Sequence, residues 1–327
     1  MTTNVSRRAV VLGLGSAAVL APLFAGAQGR RPARVGFVSW FTPTETAQIE
    51  PLREALRELG WTEGRNLELE VHFTAGRAEP TREILHSLVK RQFDVIVVRA
   101  TNAAHLAKEA TRTTPIVMLV SDPLATGLVR SLARPEANLT GLSLQGPDLA
   151  GKRLEYLRAI MPNVRTVAFL GAANDPNVST FVRETQAAAD LIGVALRVRL
   201  VPGTQAYGEQ DFSELAAQGV SAVLVQPIFT GQQVRIVDLA MRHRIAVISN
   251  YAVFAKAGAL LTLGPDDAAL TRRAGYFVDR LLKGAKPGDL PVEQPSRFTL
   301  AVNLAAARAL GLVVPSGLMV SADTVIE

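Results

Sequence analysis

Polar and aromatic residues recur where loops would leave the carboxyl ends of short apolar runs: Ser39, Trp40 and Thr42; Thr101 and Asn102; Ser121 and Asp122; Asn174, Asp175 and Asn177; Gln226; Asn250 and Tyr251. Hydroxyls and amides predominate. That chemistry suits hydrogen bonding to a small polar or zwitterionic molecule, with Trp40 or Tyr251 as an apolar wall. The same residue types also cap helices at strand-to-helix junctions, so each has an ordinary structural use beside the binding one. Asp122 could orient an ammonium group, yet Asp before Pro123 also simply starts a turn. Trp61, between Gly60 and the Glu63-Gly64 pair, is expected to pack a turn rather than a ligand.

Catalytic chemistry finds little support. The chain has no cysteine, and His72, His86, His105 and His243 lack the spacing of a metal pair. The segment from Gly141 to Gly146 looks like a nucleophile elbow but has one residue too many before its second glycine. A phosphate loop of the Gly-x4-Gly-Lys-Ser/Thr type does not occur. The expectation is a binding protein with no catalytic residue, no metal and no cofactor.

The elements that would hold these loops follow from the pattern of the chain. Short β-branched runs alternate with amphipathic stretches, the signature of βαβ units. A first series of strands is predicted at 35–40, 67–73, 94–98, 116–120 and 139–144, and a second at 166–170, 195–200, 222–225, 246–249 and 259–263. Helices are predicted at 44–59, 80–91, 103–111, 148–160, 178–192, 212–218, 232–242 and 266–282. Two such series in 327 residues predict an α/β fold of two doubly wound parallel-sheet lobes. Loops from both would then enclose a small ligand.

Charge argues against a nucleic-acid partner. There are 35 Lys and Arg against 29 Asp and Glu, a formal charge of +6, but the basic residues are dispersed singly or in pairs among acidic ones. Residues 1–27 carry Arg7 and Arg8 as their only charges, then an apolar run, then Ala25-Gly26-Ala27. This reads as a signal peptide cleaved after Ala27, and the Ser6-Arg7-Arg8 triplet resembles a twin-arginine export signal.

Segments in a particular order resemble one family. They are Arg34 to Ser39 (RVGFVS), Leu59 to Trp61 with Glu63 to Asn66, Asp122-Pro123 with Gly127 to Val129, Ser131 to Pro135 with Asn138 to Gly141, and Lys152 to Glu155. Asn174 to Asn177, Leu282 to Gly284 with Pro287, Leu290 to Val292, and Asn303-Leu304 with Ala309 to Leu312 complete the set. The sequence resembles the exported substrate-binding proteins of ABC transporters with the type I periplasmic-binding fold, in the branch that includes tryptophan-binding members.

The resemblance implies three crossovers between lobes, expected near Gly141, near Gly264 and at 287–295. Lobe 1 would comprise 28–141 and 265–288, and lobe 2 142–264 and 289–327. It further implies a periplasmic protein, exported by the Sec or twin-arginine route. The protein would capture an amino acid or related solute and deliver it to an ABC permease and its ATPase, meeting the membrane only through that permease. The alternative is a ligand sensor docking on a membrane signalling receptor. A DNA-binding regulator would need a reading domain, and residues 1–33 show no helix-turn-helix pattern.

An amino-acid pocket needs two charged ends satisfied. Ser39, Thr101 and Asn102 are the candidates for the carboxylate, and Asp122 or Asp175 for the ammonium. Where family members commonly have a Gly-Thr or Thr-Pro turn, this chain has Arg99-Ala100-Thr101-Asn102. Arg99 could pair a ligand carboxylate or bond a neighbouring loop.

Overall fold

Strands Val95–Arg99 (β3) and Ile116–Val120 (β4) are buried at every position, as expected of parallel strands covered on both faces. They sit at the centre of a five-stranded sheet that also holds Ala33–Ser39 (β1), Leu67–Phe73 (β2) and Leu139–Ser143 (β5), in the order β2-β1-β3-β4-β5, all parallel. The protein is described by a computed structural model covering Met1 and residues 31–43, 49–135, 137–203 and 206–327. The signal-like segment lies outside the described residues apart from Met1, as do residues 44–48 at the start of the first predicted helix.

Helices Glu50–Glu58 (α1), Ala78–Lys90 (α2) and Thr101–Ala110 (α3) connect these strands. After β5 come Ala150–Ile160 (α4), Thr166–Ala172 (β6), Val178–Ile192 (α5), Ala195–Val201 (β7), Glu209–Ala217 (α6) and Ala222–Val225 (β8). Gln233–Arg242 (α7), Ala246–Ser249 (β9), Ala252–Lys256 (α8), Leu261–Pro265 (β10) and Asp267–Leu282 (α9) follow. The chain closes with Phe298–Asn303 (β11), Leu304–Leu310 (α10), Ser316–Ser321 (α11) and Thr324–Ile326 (β12).

The second sheet has seven strands, in the order β12-β11-β10-β9-β8-β6-β7. Its β7-β6-β8-β9-β10 part repeats the parallel order of the first sheet, but β11 runs antiparallel to β10 and carries β12 on its far side. The five-strand expectation for this lobe therefore falls two strands short. Phe298–Asn303 follows a Pro-rich stretch rather than a helix, so it lacks the βαβ spacing by which the others are recognised.

In sheets of order 2-1-3-4-5 the connections leave β1 and β3 toward opposite faces, which opens a crevice between their carboxyl ends. Here those crevices lie between β1 and β3 in one lobe and between β6 and β8 in the other. One buried apolar cluster contains residues of both lobes, Trp40, Phe41, Ile228 and Tyr251 among them.

α9 follows a strand of the second sheet yet packs against α1 and the first sheet. A Cβ at Gly275 would lie 2.7 Å from that of Ala55, so the two helices touch through their smallest residues. Trp61 donates its indole N–H to Asp279 Oδ1 of α9 at 2.9 Å, which fixes the turn after α1. The chain passes between the lobes after β5, between β10 and α9, and again between α9 and β11. The last passage runs beside β5, where Glu293 N–H donates to Gly141 O at 2.9 Å and Ser143 N–H to Glu293 O at 2.8 Å.

Candidate functional site

Both crevices open into one narrow interlobe cleft. From the first lobe come Phe41 after β1, Arg99 to Thr101 after β3, Ser121 after β4 and Leu144 after β5. The second contributes Asp175, Asn177 and Phe181 after β6, Gln226 to Ile228 after β8, and Tyr251 after β9.

A chain of hydrogen bonds crosses the cleft. Ala172 N–H donates to Gln226 Oε1 at 2.9 Å, and Gln226 Nε2 donates to Asp175 Oδ1 at 2.9 Å. Asp175 Oδ1 also accepts from Asn177 N–H at 2.9 Å, and Asn177 Nδ2 donates to Thr101 Oγ1 at 2.8 Å. The last of these bonds joins the lobes. Replacing Thr101 by Val keeps the shape but strands the Asn177 amide, with an expected cost of about 1–3 kcal/mol. A lowered melting temperature of the unliganded protein checks this, and an unchanged one would show that the bond contributes nothing.

Two buried ionisable side chains, one from each lobe, line the same cleft. Asp175 is buried, and burial raises its carboxyl above the ordinary range against the opposing pull of its hydrogen bonds to Asn177 and Gln226. Arg99 is only 1% exposed. Its guanidinium donates to Thr271 Oγ1 at 3.1 Å and to Asp267 Oδ1, both on the first turns of α9. It also sits over the Phe41 ring, 5.8 Å from the centroid. Burial raises the Tyr251 phenol, so its hydroxyl is neutral at physiological pH.

The backbone at this point is strained. Ala100 has φ of +84°, a conformation non-glycine residues rarely adopt, and it lines the cleft immediately before α3. α3 has no side-chain cap, so the N–H groups of its first turn keep their partial positive charge at the cleft. Among the described residues, buried side-chain atoms without a hydrogen-bond partner include Arg99 Nε, Asn177 Oδ1 and Trp40 Nε1.

A family model described as ABC transporter substrate binding protein matches residues 38–326. The chain belongs to this family. Among solved structures it is similar to an ABC domain from Streptococcus pneumonia in complex with L-Trp, at 25% identity and a TM-score of 0.85, covering 90% of this chain and 100% of that one. It also resembles a ligand-free, open substrate-binding protein with adhesive properties from Clostridium difficile, at 23% identity and a TM-score of 0.66, covering 90% of this chain and 99% of that one. A tyrosine-binding protein of Clostridioides difficile is 23% identical over 262 residues, 79% of this chain and 75% of that protein.

In this ABC transporter substrate-binding protein the fold gathers Thr101, Ser121, Asp175, Asn177, Gln226 and Tyr251 at the cleft. Trp40 and Thr42 line an adjoining chamber. The other residues expected from sequence lie elsewhere. Ser39 is buried behind the cleft and its hydroxyl accepts from Phe41 N–H at 3.3 Å. Asp122 accepts from Leu124 and Ala125 N–H, so it builds the turn that Asp-Pro favours. Asn174 is exposed, and half-buried Asn102 lies one residue beyond the cleft lining.

Asn250 donates to Gly146 O at 3.3 Å, beside Arg153, which bonds both Gly146 O and Leu263 O. These side chains brace the first two crossovers. The apolar walls Phe41, Leu119, Leu144, Phe181 and Ile228 carry no signal in the sequence, because a cleft-facing apolar residue has the same pattern as a core one. Asp267 is likewise unmarked, since its partner Arg99 lies 168 positions away.

Proposed function

We propose that this protein captures an aromatic amino acid between its lobes and presents it to an ABC importer. The observation that carries the reading is that two buried ionisable side chains from opposite lobes, Arg99 held by Asp267 and Asp175 held by Asn177 and Gln226, line one cleft together with aromatic rings. The ligand carboxylate would meet Arg99 Nε, Thr101 Oγ1 and the uncapped N-terminus of α3. Its ammonium would meet Asp175 and Asn177 Oδ1. Phe41, Phe181 and Tyr251 would enclose its ring.

Such a ligand touches both lobes only when they are together, so its binding favours the closed form by differential contact. The relative in complex with L-Trp and the tyrosine-binding relative support the same class. By this reading the protein works outside the cytoplasm after export through its 1–27 segment, with a permease and a separate ATPase as partners, and performs no chemistry on its cargo.

A thermal-shift titration tests the proposal. L-Trp, L-Tyr or L-Phe at a hundredfold over its dissociation constant is expected to stabilise the protein by about 2.7 kcal/mol, while sugars leave it unmoved. No shift with any of the three, or a larger one with a sugar, would reject it.

A further inference from the structure

Arg153, from the Lys152 to Glu155 segment, lies on α4 and is only 3% exposed. Its Nε donates to Leu263 O at 2.9 Å and its Nη2 to Gly146 O at 3.0 Å. Among the described residues no carboxylate pairs with it. Burial draws its pKa down to about 9, so the guanidinium is still charged at neutral pH. The cleft begins one side chain away. A Cβ at Gly146 would lie 2.9 Å from Cζ of Phe181, a cleft residue, and Asn250, which shares the Gly146 carbonyl with Arg153, precedes the cleft residue Tyr251.

The other buried guanidinium at the cleft is neutralised, since Arg99 is paired with Asp267. Arg153 and Asp175 are instead held by neutral groups only, backbone carbonyls for the one and Asn177 with Gln226 for the other. Bracing the crossovers does not call for a charge. Asn250 already donates to Gly146 O at 3.3 Å, and a neutral amide costs far less to bury than a guanidinium. An anion seated in the cleft offsets that cost without touching Arg153, because Coulombic attraction falls only as the inverse of distance and is little screened inside a protein. The field reaches the cleft wall at Tyr251: burial raises that phenol, Asp267 adds to the rise, and Arg99 and Arg153 both oppose it.

Resting on the aromatic amino-acid reading above, we infer that Arg153 is a positioning residue for the cargo: its unneutralised charge, fixed behind the wall by carbonyls of two crossovers, draws the cargo carboxylate to the Arg99 and Tyr251 side of the cleft. The ammonium is left for Asp175. Charge of fixed position and sign orients a zwitterion at no cost of reorganisation when it binds.

Titration calorimetry on the full chain tests this, using whichever of L-Trp, L-Tyr and L-Phe binds together with the amide of the same amino acid, which keeps the ring and ammonium but lacks the carboxylate charge. The quantity read is the ratio of the two affinities at one pH. In Arg153→Gln, neutral but with an amide that can still donate to a carbonyl, the acid-to-amide ratio should fall on the order of tenfold. In Arg153→Lys, which keeps the charge, it should stay within about threefold of the wild-type ratio. A brace with no electrostatic role would weaken both ligands alike and leave the ratio unmoved. The wild type supplies a readout that needs no variant to fold: its preference for the acid should persist from low to high salt, because a buried charge is little screened. An unchanged ratio in Arg153→Gln, an equal fall in Arg153→Lys, or a wild-type preference that vanishes in high salt would overturn the inference alone. Failure of every aromatic amino acid to bind the wild type would overturn it together with the reading on which it rests.

Discussion

Asp175→Asn is expected to abolish cargo binding while making the unliganded protein more stable at neutral pH. Removing one partner of a buried charge pair costs roughly 2–5 kcal/mol, so affinity for an amino acid should fall by about 30-fold or more. The Asn amide oxygen can still accept from Asn177 N–H and Gln226 Nε2, so the loop keeps its internal bonds. Stability moves the other way because burial raises the folded-state carboxyl above the ordinary aspartate range.

A carboxyl that holds its proton more tightly when folded favours the folded state most below its unfolded pKa. That contribution is lost as pH rises through the raised folded value. At neutral pH the buried carboxylate is therefore a cost, and Asn removes it. The bound ammonium stabilises the ionised form, so wild-type affinity should weaken as pH falls through the raised pKa of Asp175, and the variant should lack this step. Calorimetry across pH with paired thermal melts measures both. Retained affinity in Asp175→Asn, or a lowered melting temperature without ligand, would relocate the ammonium site.

Gly264→Ala should disrupt the second crossover. Gly264 lies in β10, and a Cβ there would stand 2.0 Å from Asn250 O, a backbone atom in the loop that carries Tyr251 to the cleft. A clash with backbone relaxes only by moving one strand end from the other, and the expected loss is on the order of 3 kcal/mol or more. Gly141 makes the same demand in the first sheet, where φ is +134° and an added Cβ would stand 2.2 Å from Met118 O. Gly288→Ala is the control, because none of the described residues lies within 4 Å of a Cβ there and its φ is not positive. Matching melting temperatures for the two variants would show that β10 yields at no cost.

The alternation of β-branched runs with amphipathic segments is enough to place ten strands and the helices between them except the five-residue α8, because each depends on neighbours within a few residues. It also marks the loops after β1, β3, β6 and β8, since polar residues at strand ends are visible one position at a time. The addition of β11 and β12 to the second sheet is not visible, for an antiparallel return after a Pro-rich passage has no local period.

The electrostatic arrangement belongs wholly to the tertiary structure. Arg99 reads alone as a ligand cation or a loop anchor, and only the packing of α9 onto the first lobe brings Asp267 and Thr271 to it while leaving Nε bare. Thr101 and Asn177, 76 positions apart, meet because two sheets face each other by their carboxyl edges. Local sequence sets which side chains stand at a strand end; which of them find partners, and which are left to meet a guest, is decided by contacts between segments that the chain brings together only when both lobes have formed.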